Sequence, residues 1–225
     1  MGILARINMK KNQIVILGII LLSFIVGAYF YSKMPDIMAS HWNFRGKVDG
    51  HISKFWGIFL MPLVSLGLFL LSVLIPKIDP MKNNIEKFRK YFDRFIVLIM
   101  LFLFYIYLLT LFWNLGLRFN LGQFMVPALV ILFYYCGVLT ENSKRNWFIG
   151  IRTPWTLSSD SVWDKTHKLG GKLFKFAGIA SISGIFFPDY AFFFVIVPIF
   201  FATIYTIFYS YFEYKKESNN PDPIK

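Results

Sequence analysis

The sequence predicts an all-α polytopic membrane protein with six transmembrane helices and a short amphipathic cytoplasmic helix before the fifth. Three observations carry that prediction. Of the 225 residues, 56% are apolar and 20% aromatic, more than a soluble domain of this length carries. The apolar residues are gathered into six runs, at residues 14–31, 55–75, 95–117, 121–140, 171–187 and 190–212. Lys and Arg fall unequally on the segments between them. With both termini cytoplasmic, 19 of the 24 basic residues lie inside, and only Lys33, Arg45, Lys47, Lys54 and Arg118 lie outside.

The first run follows a basic segment containing Arg6, Lys10 and Lys11. It ends in Tyr29-Phe30-Tyr31 rather than a small-x-small cleavage site, so an uncleaved span is expected. The second closes a two-span unit, residues 12–78, around an outward loop at 32–54. A basic cytoplasmic linker, 79–94, leads to a four-span unit at 95–212, and a polar tail at 213–225 is expected to be disordered. The fifth run is the shortest and contains Lys175, which can snorkel from a helix end. Pro188-Asp189 then makes the turn that pairs spans five and six.

The net charge of +12 needs no nucleic-acid partner, because the basic residues sit where an anionic inner leaflet attracts them. The expected partner is the lipid bilayer of the cytoplasmic (inner) membrane. A single cysteine, Cys136, excludes an intramolecular disulfide and any cysteine-based metal cluster. Within the apolar runs only Lys172 and Lys175, both near the start of the fifth, are charged, which disfavours ion-coupled transport. Ser65, Thr110 and Asn114 read as interhelical hydrogen-bond partners, and the span tyrosines as interior or interfacial aromatics.

Two polar stretches stand out. In the outward loop, Pro35-Asp36 and Asp49-Gly50 are turn signals and Trp42 is an interfacial anchor. The candidate binding residues there are Pro35, Asp36, His41, Trp42, Asn43, Gly46, Asp49 and Gly50. His41, Asp49 and His51 fit no standard zinc spacing, so the expectation is a small folded cap with hydrogen-bonded histidines, no metal and no cofactor.

The second stretch is a cytoplasmic motif at 144–174. Pro154 marks a boundary, and Ser158, Ser159 and Asp160 signal a helix start. Val162, Thr166, Leu169 and Leu173 share one helical face, and Lys165, Lys168 and Lys172 another. Trp155 and Trp163 are expected at the membrane boundary, with Gly170-Gly171 bending the helix into the fifth span. Arg152, between Gly150 and Pro154, is expected to be a held guanidinium. Its candidate acceptors are Asp160, Asp164 or a lipid phosphate, with Asn146 and Thr153 adding hydrogen bonds. The candidate binding set is therefore Asn146, Gly150, Arg152, Thr153, Pro154, Trp155, Asp160 and Trp163. His167 could pair with Asp160 or Asp164 for acid–base work. No metal signature, nucleophile elbow or paired intramembrane acid accompanies it, so no enzyme is expected and His167 reads as a surface residue.

GIRTPWTL followed by SVWDKTHKLGGKLF resembles the signature of the Sdp immunity-protein family, multi-pass bacterial membrane proteins named for protection against a secreted killing peptide. MPDIMASHWNFRGKVDGHISK resembles the small domain often found upstream of it, in which PD, HWN, G and DG recur. The chain departs from that pattern at Val48 and His51, where a proline and an aromatic residue are expected. The resemblance implies protection against a membrane-active antimicrobial peptide. In some members it also implies capture of a cytoplasmic transcriptional repressor, whose acidic group would be a further acceptor for Arg152. The rival reading is a small permease or membrane-homeostasis factor without a toxin partner.

Overall fold

The computed structural model describes residues 11–219; the basic stretch at residues 1–10 and the last six residues lie outside the described residues. The chain is helical apart from one β-hairpin. Its elements are α1 (Lys11–Phe30), β1 (Ile37–Trp42), β2 (Val48–Ser53), α2 (Lys54–Ile78), α3 (Lys82–Lys87), α4 (Arg89–Asn114), α5 (Leu121–Asn142), α6 (Pro154–Ser158), α7 (Asp160–Ala180) and α8 (Ala191–Asn219). Short 3-10 turns at Ser181–Ile185 and Pro188–Tyr190 join α7 to α8. Among the described residues five segments are long and apolar enough to cross a membrane: Lys11–Lys33, Lys54–Ile78, Arg89–Asn114, Leu121–Asn142 and Pro188–Asn219.

The expected helix before the fifth span and the fifth span itself form one continuous helix, α7. It is unbroken at Gly170-Gly171. Those glycines are instead where neighbouring helices come close: a Cβ on Gly171 would lie 2.8 Å from the Gly137 carbonyl oxygen, and one on Gly137 would lie 2.5 Å from that of Gly171. Further along, Gly178 packs on the backbone of Val130 and Tyr134, and Gln123 Nε2 donates to the Ile185 carbonyl at 2.8 Å. The segment from Trp163 to Ile185 thus runs antiparallel along the whole of α5. Lys175 does not snorkel freely; it pairs with Glu141 at 2.6 Å.

Helix α8 returns along α7. Thr206 sits by Gly170, Glu213 pairs with Lys165 at 3.1 Å, and Glu217 accepts from the Ser159 hydroxyl at 2.8 Å. These ties continue the helix through residues 213–219, where the sequence reading expects a disordered tail.

The other half is an α1–α2–α4 bundle, with Ile16, Ile20 and Met100 in one core cluster and Met34, Met38, Ile58, Tyr107 and Leu111 in a second beneath the hairpin. The halves meet at a seam on the side where α2 ends. There α3 and the start of α4 bring Ile85, Phe88 and Phe92 against Leu139 and Ile149. The expected linker is therefore folded, and it closes the seam.

Candidate functional site

The expected outward cap is an antiparallel β-hairpin, and its motif residues explain the turn. Asn43 Oδ1 accepts the backbone N–H groups of Arg45 and Lys47 at 3.0 and 3.1 Å, and Gly46 takes the left-handed φ of 72°. His41 lies opposite Gly50, where a Cβ would meet the His41 Cβ at 2.8 Å, so the strand partner of His41 has no room for a side chain. The imidazole meets Asp49 Oδ1 at 2.5 Å. Pro35 is exposed at the entry, and Asp36 pairs with Lys54 at 2.8 Å, which holds its carboxyl below the usual range. Trp42 stands edge-on to Trp113.

Asn114 was expected to bond between helices. Instead it grips the hairpin, accepting from the Ala39 N–H at 2.8 Å and donating to the Ala39 carbonyl at 3.0 Å, as a neighbouring strand would. The hairpin is thereby fixed as a roof over a cavity of about 800 Å³ between α2, α4, α5 and α8. Ser40, His41, Trp42, Asn43 and Asp49 line its top, and Met61, Ile106, Met125, Leu129, Phe133 and Val195 its depth. This size and polarity suit a ligand site, an apolar volume with a few convergent polar groups. The cap residues were legible in the sequence. The cavity walls were not, because a lipid-facing and a cavity-facing leucine look alike there.

The motif expected on the cytoplasmic side folds into a knot tied largely by its own hydrogen bonds. Asn146 is fully buried: its Oδ1 accepts the N–H groups of Phe148 and Ile149, and its Nδ2 donates to the carbonyls of Lys144 and Ile149. Thr153 and Thr156 form a capping box at the start of α6, with Pro154 in the first turn, and Ser159 caps α7. Trp155 packs on Tyr211 of α8, and the Thr153 hydroxyl meets that of Ser210 at 3.0 Å.

Two residues of this motif lie elsewhere than the sequence suggests. Trp163 is 0% exposed rather than interfacial, and its Nε1–H donates to the Ser143 carbonyl at 3.1 Å. His167 is 1% exposed rather than on the surface, and stacks on Trp163 at 3.8 Å between ring centres. Its Nδ1–H donates to the Trp163 carbonyl at 2.8 Å and its Nε2 accepts the Ile151 N–H at 2.9 Å. Burial pushes its pKa down to about 4, so the ring is neutral and neither nitrogen is free to transfer a proton. Gly150, at φ 115°, passes beneath it.

Arg152 is exposed and donates through Nη1 to the Trp147 carbonyl at 2.6 Å. The two carboxylates expected to receive it are held by others: Asp160 by Arg145 Nε at 2.9 Å and Asp164 by Lys144 at 3.1 Å. The sequence reading missed Arg145, whose second contact is Nη1 to the Leu157 carbonyl at 3.1 Å. Around Arg152, Trp147 and Phe148 are also exposed. Among the described residues no three His, Cys, Asp or Glu side chains are placed to share a metal ion.

Residues 142–210, the motif with α7 and most of α8, match the model of the SdpI/YfhL protein family. Residues 18–66, with the hairpin at their centre, match that of a domain of unknown function (DUF1648). The chain is 29% identical over 209 residues to the immunity protein SdpI of Bacillus subtilis (strain 168), covering 92% of this chain and 98% of that protein. No solved structure matches. The resemblance to the Sdp immunity proteins therefore extends over nearly the whole of this multi-pass membrane chain.

Proposed function

We propose that this chain, an SdpI-like membrane protein, acts in the bacterial cytoplasmic membrane as an immunity protein that protects its cell against a membrane-active peptide. The chain crosses six times in this reading. The sixth crossing is residues 171–187, the later part of α7 with its 3-10 extension, which lies beside α5 from Gly137 to Gln123. His167 and the knot then stand on the cytoplasmic side of that crossing. Both termini also lie in the cytoplasm in this reading, which the distribution of Lys and Arg supports.

The observation that carries the proposal is the hairpin held over an apolar cavity, with His41, Trp42, Asn43 and Asp49 at its mouth. An arriving amphiphilic peptide meets this face first, and protection acts by binding rather than by chemistry. On the cytoplasmic side, exposed Trp147, Phe148 and Arg152 form the surface offered to a captured repressor.

The test is expression in a sensitive host challenged with a panel of membrane-active peptides. Trp42→Ala and Asp49→Ala are expected to lower protection at unchanged membrane insertion. Full protection after residues 35–53 are replaced by a Gly/Ser linker would overturn the role of the cap.

A further inference from the structure

We infer that the cavity beneath the hairpin is a lipid-chain site, filled in the resting membrane by one acyl chain of a lipid from the leaflet on the hairpin side. The proposed orientation makes that leaflet the outer one, and the inference rests on the functional reading for that point alone.

The walls are the first ground for it. Met61, Ile106, Met125, Leu129, Phe133 and Val195 offer a water molecule no hydrogen bond through their side chains. The Thr110 hydroxyl, also in the wall, gives its proton to the Ile106 carbonyl at 3.0 Å and leaves a water there only one acceptor, short of the roughly two to four polar partners a buried water needs. Water is therefore a poor occupant, and an empty space of about 800 Å³ forfeits the dispersion contacts of every lining atom. The bilayer supplies the alternative at high local concentration. On α8 the lining residues Phe192 and Ile196 continue into exposed Phe193, Val197 and Phe200, so the cavity meets the lipid-facing surface without a polar border. A hydrocarbon chain can enter sideways.

The top of the cavity has the complementary polarity. The polar lining residues Ser40, His41, Asn43 and Asp49 are confined to the hairpin, where the headgroup of a lipid whose chain points down the cavity would lie. The Trp42 indole lines the cavity at that level, where an amphipathic ring suits the boundary between headgroup and chain.

The experiment uses the full chain reconstituted in vesicles of phosphatidylcholine and phosphatidylglycerol, with a trace of phosphatidylglycerol bearing a diazirine in mid-chain. After irradiation, mass spectrometry maps the adducts. Labelling is expected at Met125 and Leu129 several-fold above that at Val197, which faces lipid beside Ile196 on α8, and Leu129→Trp is expected to lower the excess at Met125 by narrowing the space. Equal labelling at Met125, Leu129 and Val197 would overturn the site. If a diazirine-bearing membrane-active peptide labels these residues where lipid does not, the cavity belongs to the peptide, and the immunity reading stands without the lipid one. Intact lipid labelling in a chain that gives a sensitive host no protection would uphold the lipid site and overturn the immunity reading.

Discussion

Asp79 and Trp147 meet across the seam between the two halves of the molecule. The Asp79 carboxylate, 2% exposed at the end of α2, accepts the Trp147 N–H at 2.9 Å and the Met81 N–H at 2.6 Å. Nearby, Asn84 Nδ2 donates to the Arg145 carbonyl at 2.9 Å. The signature loop is thus tied to the end of the first helical pair, although 68 residues separate the two in sequence.

Asp79→Ala is expected to destabilise the protein by about 1–3 kcal/mol, because it leaves two part-buried backbone donors without their acceptor. Asp79→Asn keeps one acceptor oxygen and is expected to lose less. Thermal unfolding in detergent measures both, and indistinguishable midpoints for wild type and Asp79→Ala would show that the apolar cluster alone closes the seam.

Gly150 gives a second expectation. Its φ of 115° is left-handed, and a Cβ there would fall 2.5 Å from His167 Nε2, the atom that accepts from Ile151. Gly150→Ala therefore adds about 1–2 kcal/mol of backbone strain and disrupts that hydrogen bond as well. Gly67→Ala in α2, where a methyl group meets nothing within 4 Å, is the matched control and is expected to be neutral or slightly stabilising. Comparable losses from both would remove the special role of Gly150.

Hydropathy located all five long apolar helices, because each is a nearly uninterrupted apolar run. Turn chemistry located the cap and the knot, since Asn43, Gly46, Thr153, Pro154 and Ser159 act through neighbours within a few residues. Burial within the knot was not legible. Trp163 and His167 sit among lysines in sequence, and only the return of α5 and the Gly150 loop over that face covers them. The partner of each charge was hidden for the same reason: Arg145, Lys144 and Arg152 are close in sequence and equivalent in charge, and the loop's fold decides which one reaches Asp160.

Burial of His167 predicts a pH dependence with a definite sign. Its pKa is about 4 in the folded protein against an ordinary 6.5, so the unfolded chain takes up a proton that the native state refuses between those values. Stability is full above pH 6.5 and falls as the pH drops towards 4, by up to about 1.4 kcal/mol per pH unit from this group. Carboxylates contribute in the same range, so the measurement is the difference between wild type and His167→Gln in chemical denaturation from pH 4 to 8. That difference is expected to shrink as the pH is lowered. A constant difference would mean that the ring is protonated in the native state or accessible to water.

The two arginines of the knot should separate stability from recognition. Arg145 donates through Nη1 to the Leu157 carbonyl at the end of α6 and lies at ion-pair distance from Asp160 at the start of α7, and its own carbonyl holds Asn84. A lysine carries the charge but has no planar fork to bridge a side chain and a carbonyl in fixed geometry. Arg145→Lys is therefore expected to cost about 1 kcal/mol or more, below the full value of a charged hydrogen bond because Asp160 is largely exposed. Arg152 makes one exposed contact, to the Trp147 carbonyl, so Arg152→Lys is expected to change the unfolding midpoint very little. If its guanidinium, beside exposed Trp147 and Phe148, serves a cytoplasmic partner, Arg152→Lys lowers signalling in cells at matched expression while unfolding stays as in wild type. Arg145→Lys lowers both together. Wild-type signalling and stability in Arg152→Lys would leave Arg152 only its positive charge, which favours the cytoplasmic side for this loop, and would remove it from the recognition surface.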